Sequence, residues 1–186
     1  MAKKHKVVMT ALVIGLAGAL GGFGIFAAFS STTTNPGNSF AAGTVTLSDN
    51  DGGTALFNAS NQKPGDNDRC IKVTYSGTLD AAVKLYSSAI TGDGSAFNLT
   101  VTEGSGDVTA DCTGFTAGTD VYTGTLADFD AHSAWASGLA LDSGGDATWV
   151  TNDAVSYRFR ITVPDDNAAQ GDAVDPFTLT WEAQNQ

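Results

Sequence analysis

Basic side chains are scarce: nine Lys and Arg stand against twenty Asp and Glu in 186 residues, for a formal net charge of −11 and a pI near 4.2. Three of the nine, Lys3, Lys4 and Lys6, fall in the first six residues, so the rest of the chain is more acidic still. Such a surface repels phosphate backbones and anionic headgroups, which argues against nucleic-acid partners and against membrane attachment through a basic patch. Histidine is limited to His5 and His132, and no HExxH pair occurs, which excludes the helical two-histidine zinc site of that motif. No GxSxG surrounds any serine, so the nucleophile elbow is missing too. Paired carboxylates of the glycosidase kind have no distinguishing pattern in so acidic a chain. Strong helix formers are thin, and only two cysteines are present, Cys70 and Cys112.

What is present is glycine, 22 of them, with abundant Thr, Ser and Asp around short apolar runs. That mixture suits a turn-rich all-β chain, and the length suits one domain with one core. TVTL at Thr44 opens a series of alternating segments, and SDNDGG closes that first run with turn residues. NQKPGD, Asn61 to Asp66, predicts another turn, with Pro64 and Gly65 central. CIKVTYSG then places Ile71, Val73 and Tyr75 on one face; AAVKLYSS does the same with Ala81, Val83 and Leu85, and FNLTVTEG with Phe97, Leu99 and Val101. The clearest alternation is SYRFRITV, with Tyr157, Phe159, Ile161 and Val163 inward and Arg158 and Arg160 outward. FTLTWEA supplies Phe177, Leu179 and Trp181 as a last strand. One stretch departs from period two: TLADFDAHSAWAS spaces Leu126, Phe129 and Trp135 as a short helix would. The expected fold is a β-sandwich with one short helix.

The amino-terminal end has a different character. MAKKHK is a basic start, and Val7 to Phe29 contains no charge. Both a secretory signal and an uncut anchor fit this length. Five glycines between Gly15 and Gly24 weaken a spanning helix, by up to about 1 kcal/mol each relative to Ala, and favour the signal. The segment after it, AFSSTTT from Ala28 to Thr34, is β-prone with an apolar tip, and the NPGN turn follows. A free ribbon of this kind can pair with the open sheet edge of another copy.

GGFGIFAAF at the end of the apolar run, NSFAAGTVTL after it, NQKPGD and the terminal FTLTWEAQ together resemble the TasA and camelysin family. The resemblance implies a jelly-roll version of the sandwich and a cut by a SipW-type signal peptidase, which carried over falls between Ala27 and Ala28. It implies residues 1–27 as signal peptide, 28–38 as donor-strand segment and turn, and 39–186 as the β-sandwich domain. It further implies a secreted, non-enzymatic subunit of extracellular fibres, in a biofilm matrix or at the cell surface, that joins itself head to tail and meets the membrane only before cleavage. Ser30 and Ser31 stand where the family often has acidic or amide residues, and many members lack the two cysteines. Camelysin-type relatives are described as metalloproteases, yet the missing HExxH leaves that activity without a carrier here.

The remaining candidates are judged on the residues alone. In an oxidising compartment Cys70 and Cys112 are expected to pair, closing a loop of about 43 residues for roughly 4 kcal/mol in the chain-entropy model. No cofactor is expected beyond calcium, for which Asp49 and Asp51 in SDNDGG, and Asp66 and Asp68 in GDND, alternate as oxygen ligands do; the competing reading is ordinary turn chemistry. Asp128 and Asp130 beside His132 read as a solvated helix face. Asn58 and Asn98 begin N-glycosylation patterns. A monomeric surface adhesin or carbohydrate-binding module is the alternative function, favoured if Trp135 and Trp149 share an exposed face.

Overall fold

A computed structural model describes residues 37, 39–58, 62–166 and 170–186. Contacts divide the chain into Met1–Ala41 and Ala42–Gln186, and the architecture below is that of the second unit. Eight strands, β1 (Leu47–Asp49), β2 (Gly65–Tyr75), β3 (Ala81–Ser87), β4 (Asn98–Ser105), β5 (Thr116–Thr125), β6 (Leu139–Leu141), β7 (Ala154–Val163) and β8 (Leu179–Asn185), form two antiparallel sheets. The larger has order β1-β2-β7-β4-β5 and the smaller β6-β3-β8. This is the sandwich that the alternation predicts.

The core follows the period-two reading closely. Ile71, Val73 and Tyr75 of β2, Leu99 and Val101 of β4, and Tyr157 and Phe159 of β7 are buried against Ala81, Val83 and Leu85 of β3. The outward residues of β7 reach polar partners, Arg158 to the Thr102 hydroxyl (3.1 Å) and Arg160 to Asp68. β2 runs longer than expected: it pairs with β7 from Gly65, opposite Val163, to Thr74, opposite Ala154. The KPGD segment therefore leads directly into strand, with Gly65 at φ +127°.

The expected helix is present as α1 (Leu126–Phe129), a single turn that buries Leu126 and Phe129. Thr125 caps it: its hydroxyl accepts from the Asp128 amide (3.0 Å) while the Asp128 carboxylate accepts from the Thr125 amide (3.3 Å). Trp135 lies beyond it. Trp149, outside any strand, is wholly buried and its indole N–H donates to Leu141 O at 3.0 Å. The two tryptophans therefore do not share an exposed face, which removes the aromatic platform considered for sugar binding.

Candidate functional site

The two sheets are unequal, and the inequality makes a groove. β7 continues its inward alternation through Ile161 and Val163, beyond the cover of the three-stranded sheet. Burial decays along it: Tyr157 and Phe159 are 0% and 1% exposed, whereas Ile161 and Val163 are only half-buried. With Val73, Phe97 and Leu126 these two floor a depression of about 1340 Å³. One wall is Phe177, Leu179 and Trp181 on and before β8; the opposite wall is Leu56 and Phe57 in the segment after β1. Trp181 packs at a steep angle against Phe159, ring centroids 5.8 Å apart, and its buried indole N–H has no hydrogen-bond partner among the described residues. Among the described residues β8 pairs only with β3, so its other backbone edge faces this depression unpaired. An open sheet edge beside an apolar trough is a template for one more strand.

The rim is acidic. Asp49, Asp51, Asp166, Asp172 and Asp175 line it, and no Lys, Arg or His does among the described residues. Asp49 ends β1 and Asp51 sits in the turn after it; the Asp51 amide donates to Asp49 Oδ1 (3.3 Å) and the Gly53 amide to Asp51 Oδ1 (2.7 Å). Partial burial, then the neighbouring Asp51, raises the Asp49 pKa. Asp66 and Asp68 lie elsewhere, on the outer face of the larger sheet. Arg160 grips Asp68 through Nε and Nη2 at 2.7 and 2.8 Å, its Nη1 reaches Asp66 at 3.1 Å, and the Thr162 hydroxyl donates to Asp66 Oδ1. The hydrogen bond from Arg160 holds the Asp68 carboxyl below its ordinary value. The four aspartates singled out for calcium are thus two separate pairs, and among the described residues no group of three or more His, Cys, Asp and Glu is placed to hold a metal.

Cys70 and Cys112 are bonded, with Cα atoms 4.9 Å apart. The consequence for the site was not legible in the spacing: the bridge lays the loop after β4 over the outer edge of β2. The Cys70 amide donates to Ala110 O (3.2 Å), and Asn50 ties the rest, accepting from the Lys72 amide (2.8 Å) and donating to Val108 O (2.7 Å). This part of the β2 edge is covered, in contrast to β8.

His132 and its neighbours serve the fold. His132 Nδ1 donates to Ser137 O at 2.7 Å, and the ring packs against Tyr122 and Phe129. Asp128 caps α1, and Asp130 Oδ1 accepts from the Ile90 amide at 2.8 Å. Asn98 is exposed at the start of β4. Ala27, Ala28 and the segment Phe29, Ser30, Ser31, Thr32, Thr33 and Thr34 lie outside the described residues. A family model described as camelysin metallo-endopeptidase matches residues 2–99. No curated protein matches the chain.

Proposed function

The chain belongs to the TasA and camelysin family, and we propose that it is an exported, non-enzymatic subunit of extracellular fibres, each copy lending its processed amino-terminal strand to the groove of the next. The observation that carries this reading is the edge of β8, unpaired among the described residues, beside an apolar trough on the larger sheet. The segment Ala28–Thr34 has seven residues and so does β8, so an extended ribbon of about 23 Å would span the edge from end to end. Phe29 would enter the trough among Phe177, Leu179 and Trp181, while backbone pairing enlarges the smaller sheet from three strands to four. Donor and acceptor are different surfaces, so the contact repeats head to tail and need not close into a ring.

The family description is that of a metallo-endopeptidase. Among the described residues the side chains do not fit the metal of such an enzyme. Both cysteines are consumed in the disulfide, His132 is engaged with Ser137 and two aromatic rings, and the carboxylates of Asp128 and Asp130 accept from the Thr125 and Ile90 amides. No proteolytic step is assigned to this chain.

Export would proceed through a SipW-type signal peptidase cutting between Ala27 and Ala28, with the membrane involved only before that cut. Electron microscopy of the purified chain beginning at Ala28, at rising concentration, is the direct test. Filaments are expected from it and only dispersed particles from a chain lacking Ala28–Thr34. Filaments of equal abundance from the shortened chain would refute strand donation.

A further inference from the structure

The inner face of β4 is interrupted by a carboxylate. Leu99 and Val101 are buried in the core, and the same alternation brings Glu103 inward, directly opposite Tyr157 of β7. Glu103 is half-buried there. From the smaller sheet comes Asp142, also half-buried, which follows Leu141 at the end of β6. A tight turn from Ser143 to Asp146, with Gly144 and Gly145 at φ +65° and +93°, joins the two. Its Gly144 amide donates to the Glu103 carboxylate, which holds the turn, and Asp142 at its root, against β4.

Two negative groups thus share a partly buried junction, and among the described residues neither has an ion pair. Burial, then the charge of Asp142, raises the Glu103 pKa. Tyr157 is wholly buried beside them: burial first, then the charges of Glu103 and Asp142, push its hydroxyl up. That hydroxyl nevertheless has no hydrogen-bond partner among the described residues. Buried charges are ordinarily paired or bound to a metal, and buried hydroxyls are ordinarily hydrogen-bonded. Three oxygen-bearing side chains that approach one another without bonding have the chemistry of a hard-cation site.

We propose that Glu103, Asp142 and the Tyr157 hydroxyl form a binding site for a divalent cation of the calcium type, which clasps the larger sheet to the smaller. A proton would neutralise one carboxylate and leave the hydroxyl as it is, whereas a cation answers both charges and takes a hydroxyl lone pair. These side chains supply about three to five of the six to eight oxygens that calcium takes, and water completes the shell. So few protein ligands place the dissociation constant at about 10⁻⁴–10⁻³ M, the range of extracellular modules. None of the three residues lines the groove, so the site is independent of strand donation, and it is distinct from the aspartate pairs at Asp49 and Asp66.

Terbium(III) chloride titrated into the chelator-stripped chain beginning at Ala28, at a dilution where it stays dispersed, is the test. Tyr157 and the Trp181 ring, centroids 6.4 Å apart, are placed to sensitise terbium emission. Saturable emission is expected, displaced by millimolar calcium chloride, and calcium alone should raise the melting temperature. Glu103→Gln and, separately, Asp142→Asn should abolish both responses, and either variant suffices if the other fails to fold. Tyr157→Phe, which removes only the hydroxyl, should weaken binding by about three- to tenfold. An Asp49→Asn, Asp51→Asn variant should bind as the wild type does. No emission and no calcium-dependent shift in the wild type would overturn the site. So would responses that persist in Glu103→Gln and Asp142→Asn, or that vanish in the Asp49→Asn, Asp51→Asn variant, because the cation would then be held elsewhere.

Discussion

Arg160 reaches across the outer face of the larger sheet to two carboxylates on the neighbouring strand, and its grip on Asp68 is bidentate. Such geometry is stronger than a single surface contact, but both partners are partly exposed, so about 1 kcal/mol is the scale expected for Asp68→Ala in urea unfolding. The sign with pH follows from the depressed carboxyl. Its stabilisation is complete above the unfolded value, near 3.8, and is lost as pH falls through the lower folded pKa. Asp68→Asn should flatten that part of an acid titration of stability; an unchanged slope would show that the pair carries no linkage. Trp149 gives the opposite case, a residue whose worth is packing. Trp149→Ala should cost about 3–5 kcal/mol in urea unfolding. Alternation placed Arg160 outward and Phe159 inward correctly, because side chains on a strand have only two directions. Nothing local marked Trp149, which joins the core cluster through a backbone bridge to Ala81 of β3 and an indole hydrogen bond to Leu141 of β6.

Strands β2 and β7 carry the architecture, and their inward and outward faces from Cys70 and Ser156 onward were legible because both alternate cleanly, whereas the extension of β2 back to Gly65 was not, since the KPGD composition reads as a turn. β5 and β6 were not read from the sequence, for physical reasons. β5 is an edge strand, mostly exposed, rich in Gly and Thr, and its pairing with β4 is interrupted by irregularities between Val101 and Gly104. β6 has three residues, too few for a period. α1 was legible from the spacing of Leu126 and Phe129, whereas the capping box of Thr125 and Asp128 emerged only with the structure. The disulfide pairing was foreseen from its compartment, whereas its role in covering β2 depends on a loop reaching back from beyond β4. Replacing Cys70 and Cys112 together by Ser should lower stability by about 3–4 kcal/mol and speed hydrogen exchange at the Cys70 and Lys72 amides. Asn50→Ala should accelerate exchange at Lys72 more than at Cys70, because Asn50 Oδ1 accepts the Lys72 amide. Unaltered exchange at both positions in the disulfide-free chain would mean that the loop holds its place without the bridge.

For the whole molecule, the head-to-tail assembly proposed above divides into two separable halves, a donor and an acceptor. Val163→Asp puts a charge on the half-buried floor of the groove and should block acceptance while leaving the fold intact. Mixed with a chain lacking Ala28–Thr34, it should yield discrete dimers in sedimentation and no filaments, each partner supplying what the other lacks; filaments from that mixture would show that assembly uses other surfaces. The sequence by itself determined the β class, the inward and outward faces of its longest strands, the short helix and the surplus of negative charge, all of which are local consequences of side-chain order. Only the tertiary structure decided that five strands face three, that among the described residues β8 pairs on one side alone, and that aspartates distant in the chain line one depression. Those depend on which elements meet across the core, and pairing between remote segments leaves no periodic trace in either one.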